Sequence, residues 1–275
     1  MGLTSDPLTP DHLHSILNSV RDLAYPDSCN VAPFKNVDSI LQRLLEGEIE
    51  LQGLLPWSSN YTFLVTVTHP GDEMTLPGVY KPCAGERPLW DFPDGTLCQR
   101  EFTSYLISRI LGWPNIPPTV LADGPHGSGS VQLFIEADYE AHYFNMRSIS
   151  KFAEAFRQIA LFDYIVNNAD RKGGHCLKDR KRRLWAIDHG LTFHTDFKLR
   201  TVIWEFCDEA IPAPLLNALS HLRQAIDNQS ELCQILDHFL SRREIQALRQ
   251  RIETLLDTGR FPDLHPGRNM PYPPI

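Results

Sequence analysis

The sequence predicts an α+β chain whose first half is rich in strands and whose second half is helical. Three observations lead there. Between Ile49 and Tyr80, and again between Pro117 and Glu136, short β-prone runs alternate with turns containing Gly and Pro. From Ser148 onward, apolar residues recur at helical spacing. With 42% hydrophobic residues over 275 positions, the chain can bury a substantial core, as one large domain or two modest lobes.

The elements follow in order. In "VDSILQRLLEGEIELQG", Val37, Ile40, Leu41, Leu44 and Leu45 keep helical spacing, and Gly47 stands where the helix stops. The runs "IELQGLL", "TFLVTVT" and "GVYKP" are separated by "PWSSN" and "HPGDEMTLP", the pattern of a small antiparallel sheet. After the loop "AGERPLWDFPDGT", the stretch "LCQREFTSYLISRILGW" places Phe102, Leu106, Ile110 and Leu111 on one face and ends before Pro114. It reads as an amphipathic helix lying on the sheet. Two more strands, around "PPTVLAD" and "GSVQLFIE", flank the turn "GPHGSG". The helical half opens with "SISKFAEAFRQIALFDYIVNNAD", where Phe152, Phe156, Ile159 and Ala160 precede a dense apolar run to Val166, as in a buried helix. "APLLNALSHLRQAID", "ELCQILDHFL" and "REIQALRQRIETLLD" are helical by period, while the tail "HPGRNMPYPPI" is too rich in proline for a helix and is expected along the surface. The expected organisation is an extension over 1–36, a β-rich lobe over 37–135, a helical lobe over 136–262 and the tail over 263–275.

Composition narrows the function. A net charge of −8 argues against a general affinity for nucleic acid or anionic membrane, which reward clustered Lys and Arg. No apolar run reaches the roughly 18 residues of a membrane helix, and the first residues lack the regions of a signal peptide. A cytoplasmic protein without stable membrane insertion is expected. Cys29, Cys83, Cys98, Cys176, Cys207 and Cys233 form no C-x-x-C pair, so they read as reduced thiols rather than a zinc ribbon or a disulfide framework.

The chemistry-bearing residues fall in a sensible order for phosphoryl transfer, which needs a phosphate cradle, a fixed cation, a metal-binding carboxylate and a carboxylate near the incoming hydroxyl. Ser58, Ser59 and Asn60 form a turn whose hydroxyls and amides suit phosphate oxygens, or an ordinary turn. Lys81 ends a strand, and Glu101 near the start of the next helix is placed to hold its ammonium, as a helical glutamate does in protein kinases. In "NNADRKGGHCLKDRKRRLWAIDHG", Asp170 emerges at the end of a long apolar helix, where a fixed carboxylate orients a substrate proton. Asp188 follows the apolar Ala186 and Ile187, and a partly buried carboxylate suits a divalent cation. Asp163, on the same apolar helix, is expected to brace the loop after it through backbone amides. The basic run Lys178 to Arg183 reads as the solvated tip of a hairpin, and His189, His194 and His221 show no metal-ligand spacing.

Several of these strings also resemble a known superfamily. "SSNYTF", "VYKP", "REFTSYL", "NADRKGGH" and "AIDHG" are similar, in this order, to motifs of the phosphatidylinositol 3- and 4-kinase-like group, particularly type II phosphatidylinositol 4-kinases and bacterial relatives. The likeness runs from about residue 40 to about residue 195. It implies a bilobed protein-kinase-like fold, a small antiparallel β lobe with one helix and a larger α-helical lobe, with ATP between them. It further implies that "VQLFIE", with Gln132, Phe134 and Ile135, faces the adenine, that Lys81 contacts the phosphates, that Asp170 acts at the acceptor hydroxyl and that Asp188 holds Mg²⁺. His175 departs from the pattern, since the family usually has Asn there. Imidazole suits softer ions than Mg²⁺, so His175 binds Mn²⁺, faces phosphate or substrate without metal, or marks impaired catalysis.

The function expected from all this is ATP-dependent transfer of the γ-phosphoryl group to a hydroxyl of a protein or soluble small molecule, with Mg²⁺ or Mn²⁺. Transfer of AMP to protein, lipid phosphorylation and a nucleotide-binding scaffold without turnover stand as alternatives.

Overall fold

The computed structural model describes residues 8–26, 34, 36–56, 60–71, 74–227 and 229–275. Five strands form one antiparallel sheet. These are β1 (Glu48–Leu54), β2 (Phe63–Thr68), β3 (Thr75–Pro82), β4 (Thr119–Gly124) and β5 (Gly127–Leu133), in the order β1-β2-β3-β5-β4. The turn "GPHG" closes the β4–β5 hairpin with Gly124 opposite Gly127, and Gly127 takes a positive φ of 88° that an L side chain adopts only under strain. Lys81, near the end of β3, lies opposite Ser130 of β5.

Two helices precede the sheet. The first, α1 (Pro10–Asp22), was not read from the sequence; Thr9 caps it and it buries Leu13, Ile16 and Val20. The second, α2 (Val37–Glu46), buries Val37, Leu41, Leu44 and Leu45, four of the five residues that the spacing assigned to it. Between β3 and β4 lies α3 (Leu97–Leu111), and here the amphipathic expectation is corrected. Arg100, Glu101, Thr103 and Ser104 are buried as fully as Phe102 and Leu106, because the helix is wedged between the sheet and the helical half. Those four polar side chains are paired internally: Arg100, for example, donates to the Thr192 carbonyl at 2.6 Å and to Glu244 at 2.5 Å.

The rest of the chain is helical apart from one hairpin. After the short α4 (Tyr143–Met146) comes α5 (Ala153–Val166), buried almost throughout and ended by Asn167 in the left-handed conformation, a role Asn tolerates better than most residues. Strands β6 (Cys176–Lys178) and β7 (Leu184–Ala186) form the hairpin, and α6 (Ala213–Ala225), α7 (Glu231–Asp237) and α8 (Arg242–Thr258) complete the lobe. Phe156, Leu161, Phe162 and Ile165 are fully enclosed, so Phe156→Ala alone would cost about 3–5 kcal/mol. The cleft between the sheet and these helices receives the ends of β3 and α3 from one side and the segment 167–190 from the other.

One expectation about cysteine fails. Cys83 and Cys98 are bonded to each other, while Cys176, Cys207 and Cys233 are free and Cys29 lies outside the described residues. The pair is 15 positions apart and becomes adjacent only because α3 folds back beside the end of β3. No helix among the described residues is long and apolar enough to cross a membrane.

Candidate active site

Three acidic and basic groups from distant parts of the chain meet at the cleft. The Lys81 ammonium donates to Glu101 Oε2 and to Asp188 Oδ1, at 3.0 Å each. Burial alone would disfavour its charge, but the Asp188 and Glu101 carboxylates override that and raise its pKa above the ordinary lysine value. The two carboxylates differ in exposure. Glu101 is 2% exposed and its other oxygen accepts from the backbone N–H of His189 at 3.1 Å, so it is fixed. Asp188 keeps 47% of its side chain accessible, takes a φ of 62°, and is held well below the usual carboxylate range, first of all by Lys81.

The end of α5 places the third acidic group, Asp170. Asn168, fully buried, donates to Asp163 at 3.0 Å and accepts from the backbone N–H of Asp170 at 3.0 Å, which sets the direction in which Asp170 leaves the helix. Asp170 pairs with Lys172 at 3.1 Å. Burial raises its pKa above the ordinary value, with Lys172 opposing, which brings the carboxyl closer to the range useful for taking up a proton.

Beneath both carboxylates runs a network that the sequence did not disclose. Arg171 is fully buried; its Nε and Nη2 donate to Asp163 at 2.9 Å, its Nη1 to the Ile187 carbonyl at 2.6 Å, and its Nη2 also to His189 Nε2 at 2.7 Å. The Asp163 carboxylate thus braces the loop through the Arg171 guanidinium and the Asn168 side-chain amide, in place of the expected backbone amides. Burial and then Arg171 push His189 well below the usual histidine range, so its ring is neutral with Nε2 as acceptor. The signal available was "NNADR" directly after the buried helix and one residue before a glycine pair, but an arginine in such a loop is usually exposed.

The other expected site residues fall unevenly. Ser58 and Ser59 lie outside the described residues. Asn60 is described, and its Oδ1 accepts from the Arg87 backbone N–H at 3.0 Å. Gln132 is buried, with its amide on Thr119 at 2.9 Å, and the Phe134 N–H donates to Pro77, so both are engaged within the sheet lobe. Ile135 follows at the start of the link to the helical lobe. His175 stands beside Asp188, with Nε2 3.3 Å from Oδ2, while its Nδ1 accepts from the Lys172 N–H at 3.3 Å. That pairing puts the ring proton on Nε2, facing Asp188, and burial lowers its pKa to about 4. The basic run forms the tip of the β6–β7 hairpin as expected, but it is stitched to the interlobe link: Lys178 pairs with Asp138 at 2.8 Å and Arg180 with Glu136 at 3.4 Å. The tail lies on the surface and touches the site, the Pro274 carbonyl accepting from the Gly173 N–H at 2.8 Å.

Residues 120–250 match the family model for phosphatidylinositol 3- and 4-kinase, a stretch that contains Asp170, His175 and Asp188. The chain is 36% identical over 263 residues to protein Rv2133c of Mycobacterium tuberculosis, covering 84% of this chain and 93% of that one. The chain belongs to the phosphatidylinositol 3- and 4-kinase-like superfamily. Within this superfamily Lys81 and Glu101 lie outside the matched stretch, and geometry alone ties them to it. Among solved structures, the chain is similar to hydra Fam20 with sugar, with a TM-score of 0.52, 14% identity and coverage of 89% of this chain and 94% of that one. It is also similar to the Helicobacter pylori proinflammatory kinase CtkA, with a TM-score of 0.47, 12% identity and coverage of 78% and 95%. The fold is the bilobed protein-kinase-like one, and a chain of this superfamily and fold is, at the general level, a kinase-like phosphotransferase.

Proposed function

We propose that the protein transfers the γ-phosphoryl group of ATP to a hydroxyl of a protein or soluble small molecule. The observation that carries this reading is the Lys81 ammonium held between a buried glutamate of α3 and an accessible aspartate of the opposite lobe. An ammonium has three donors, and Glu101 and Asp188 orient two of them, so the charge is fixed where phosphate oxygens enter the cleft. Glu101 positions Lys81 and does not itself meet the substrate. Asp170 accepts the proton of the incoming hydroxyl, its direction set by Asn168 and its basicity by partial burial. Lys172, bonded to Asp170, adds positive charge beside the group in transfer. Ile135, two positions beyond the end of β5, carries the backbone groups for the adenine edge, since the Phe134 N–H is spent on Pro77.

The donor set fits Mg²⁺. Asp188 offers accessible carboxylate oxygen, the ligand type that hard divalent cations prefer, and Asp188 would hold the ion. When bound, such an ion neutralises charge on the transferred phosphate. His175 fits less well, because its Nε2 carries the proton toward Asp188; it orients that carboxylate, with metal ligation through the other tautomer as the competing role.

A soluble acceptor is favoured over a lipid headgroup. The net charge is −8, and two members of the basic run, Lys178 and Arg180, are neutralised by acids of the interlobe link. The test is purified protein with ATP and Mg²⁺ or Mn²⁺, followed for ADP release and for mass added to acceptors, beside Asp188→Ala and Asp170→Ala. Metal-dependent turnover abolished by both substitutions supports the reading. Binding without turnover in all three proteins makes the chain a scaffold, and an AMP adduct on the acceptor makes it a nucleotidyl transferase.

A further inference from the structure

The connection between β3 and α3 holds a bond that phosphoryl transfer does not use. Cys83 and Cys98 are disulfide-linked, with Cα atoms 6.0 Å apart. Cys83 lies two positions after Lys81 and Cys98 three before Glu101, so the bond fastens together the two elements whose ion pair forms the phosphate side of the cleft. The first turn of α3 has no side-chain cap from Thr96. Glu86 of the same connection supplies it instead, accepting from the N–H groups of Leu97 at 3.1 Å and Cys98 at 2.8 Å. Two links from the β3–α3 connection therefore reach the start of α3, one covalent and one hydrogen-bonded. The loop that they close also reaches the other lobe, where Asp91 pairs with Lys198 at 2.5 Å and Phe92 packs on the His194 ring. Cys98 is 3% exposed, whereas Cys83 is partly accessible.

We propose that Cys83–Cys98 is a thiol–disulfide exchange site for a dithiol reductant, and that its redox state governs how Glu101 is aligned with Lys81. The consequence for turnover rests on the phosphotransfer reading above; the exchange itself does not. A thiolate of the reductant attacks Cys83 Sγ, the reachable sulfur, and the bond to Cys98 breaks. Cys98 leaves as a thiolate in the first turn of a helix, where the helix dipole favours negative charge, and then takes up a proton. The second thiol of the reductant attacks the mixed disulfide and releases Cys83 as a thiol. Two electrons and two protons pass to the pair, and the reductant departs as a disulfide. With the bond intact α3 holds Glu101 against Lys81. Without it, α3 loses its covalent tie to the end of β3 and keeps the Glu86 cap, the Arg100 contacts with Thr192 and Glu244, and the His189 N–H on Glu101, so the Glu101–Lys81 contact loosens without being abolished. Cys83, Glu86 and Cys98 also bring three metal-ligating atoms within 4.8 Å of one another, so metal capture by the reduced pair is the competing use of the same side chains.

The experiment treats the full chain with dithiothreitol, verifies reduction by the gain of two alkylatable thiols, and reads amide hydrogen exchange across Leu97–Leu111, ATP turnover and bound zinc. Exchange in the first turn of α3 is expected to quicken at least tenfold and turnover to fall at least fivefold, both reversing on oxidation with diamide. The double variant Cys83→Ser with Cys98→Ser is expected to behave as reduced protein under either condition. Unchanged exchange and unchanged turnover after verified reduction would overturn the proposal, as would one zinc per reduced chain with α3 still protected. If neither redox form turns over ATP, the phosphotransfer reading fails, and hydrogen exchange still decides the switch on its own.

Discussion

Two ion pairs stand one behind the other at the cleft, each joining a basic side chain to an aspartate. Arg171 and Asp163 are both 0% exposed, and every nitrogen of the guanidinium is committed to Asp163, Ile187, His175 or His189. In the Lys81–Asp188 pair the side chains are 25% and 47% exposed, and the carboxylate keeps room for further partners. The difference separates a strut from a site. A charge whose partners are all internal and dry fixes geometry, whereas a charge of the same kind left half in the open can exchange one partner for another. Because Arg171 also bonds the Ile187 carbonyl, one residue before Asp188, the strut holds the open carboxylate in place from behind.

The largest expected effect tests the strut. Asp163→Ala leaves a buried, uncompensated guanidinium and should lower the unfolding free energy by about 3–5 kcal/mol, read from the denaturant midpoint at unchanged slope. A loss below about 1 kcal/mol would mean that water reaches Arg171 and that the two pairs are alike.

Next comes the open pair. Asp188→Ala should cost on the order of a thousandfold in turnover, about 4 kcal/mol of transition-state stabilisation, while stability changes by less than about 1 kcal/mol because Glu101 remains to hold Lys81. Turnover and unfolding measured on the same preparation decide it. A stability loss as large as that of Asp163→Ala would erase the distinction.

Smaller still, Asp170→Asn should lower turnover by about a hundredfold, a general-base effect, with ATP affinity within about threefold of the parent. A parallel loss of affinity would move Asp170 from the acceptor side to the phosphate side.

The strut and the site were unequally legible in the sequence. Lys81, Glu101 and Asp188, which the fold brings into contact, could be singled out together with Asp170 because phosphoryl transfer calls for those residue types and the resemblance supplies their order. The strands flanking Lys81 were readable from alternation and turn residues, since "TFLVTVT" between "PWSSN" and "HPGDEMTLP" leaves little else to fit. Arg171 was not legible, because a guanidinium in a Gly-rich loop is exposed unless the tertiary fold supplies acceptors from three separate elements. The burial of α3 on every side was hidden for the same reason: Arg100 and Glu101 look like a polar face until Glu244, Thr192 and Lys81 arrive from elsewhere. The Cys83–Cys98 bond depends on how α3 folds back, which no spacing rule contains.

The smallest expected effect concerns His175, which lies between the two pairs. Arg171 Nη1 reaches its carbonyl at 3.4 Å and its Nε2 faces Asp188 at 3.3 Å, so the imidazole touches both strut and site. If the ring orients Asp188 with Nδ1 occupied by the Lys172 N–H, His175→Ala should weaken the apparent metal affinity in turnover assays by about tenfold, the low end of what an outer-shell partner contributes. His175→Asn, which restores an amide donor toward the carboxylate, should recover most of that loss in Mg²⁺ and in Mn²⁺ equally. A loss of a hundredfold or more in the alanine variant, or an asparagine variant that gains Mg²⁺ while losing Mn²⁺, would make the imidazole a direct ligand, because only a ligand's own donor atom changes the preference between the two ions. That result would extend the open pair to three metal-side groups and leave Arg171 and Asp163 alone as the strut.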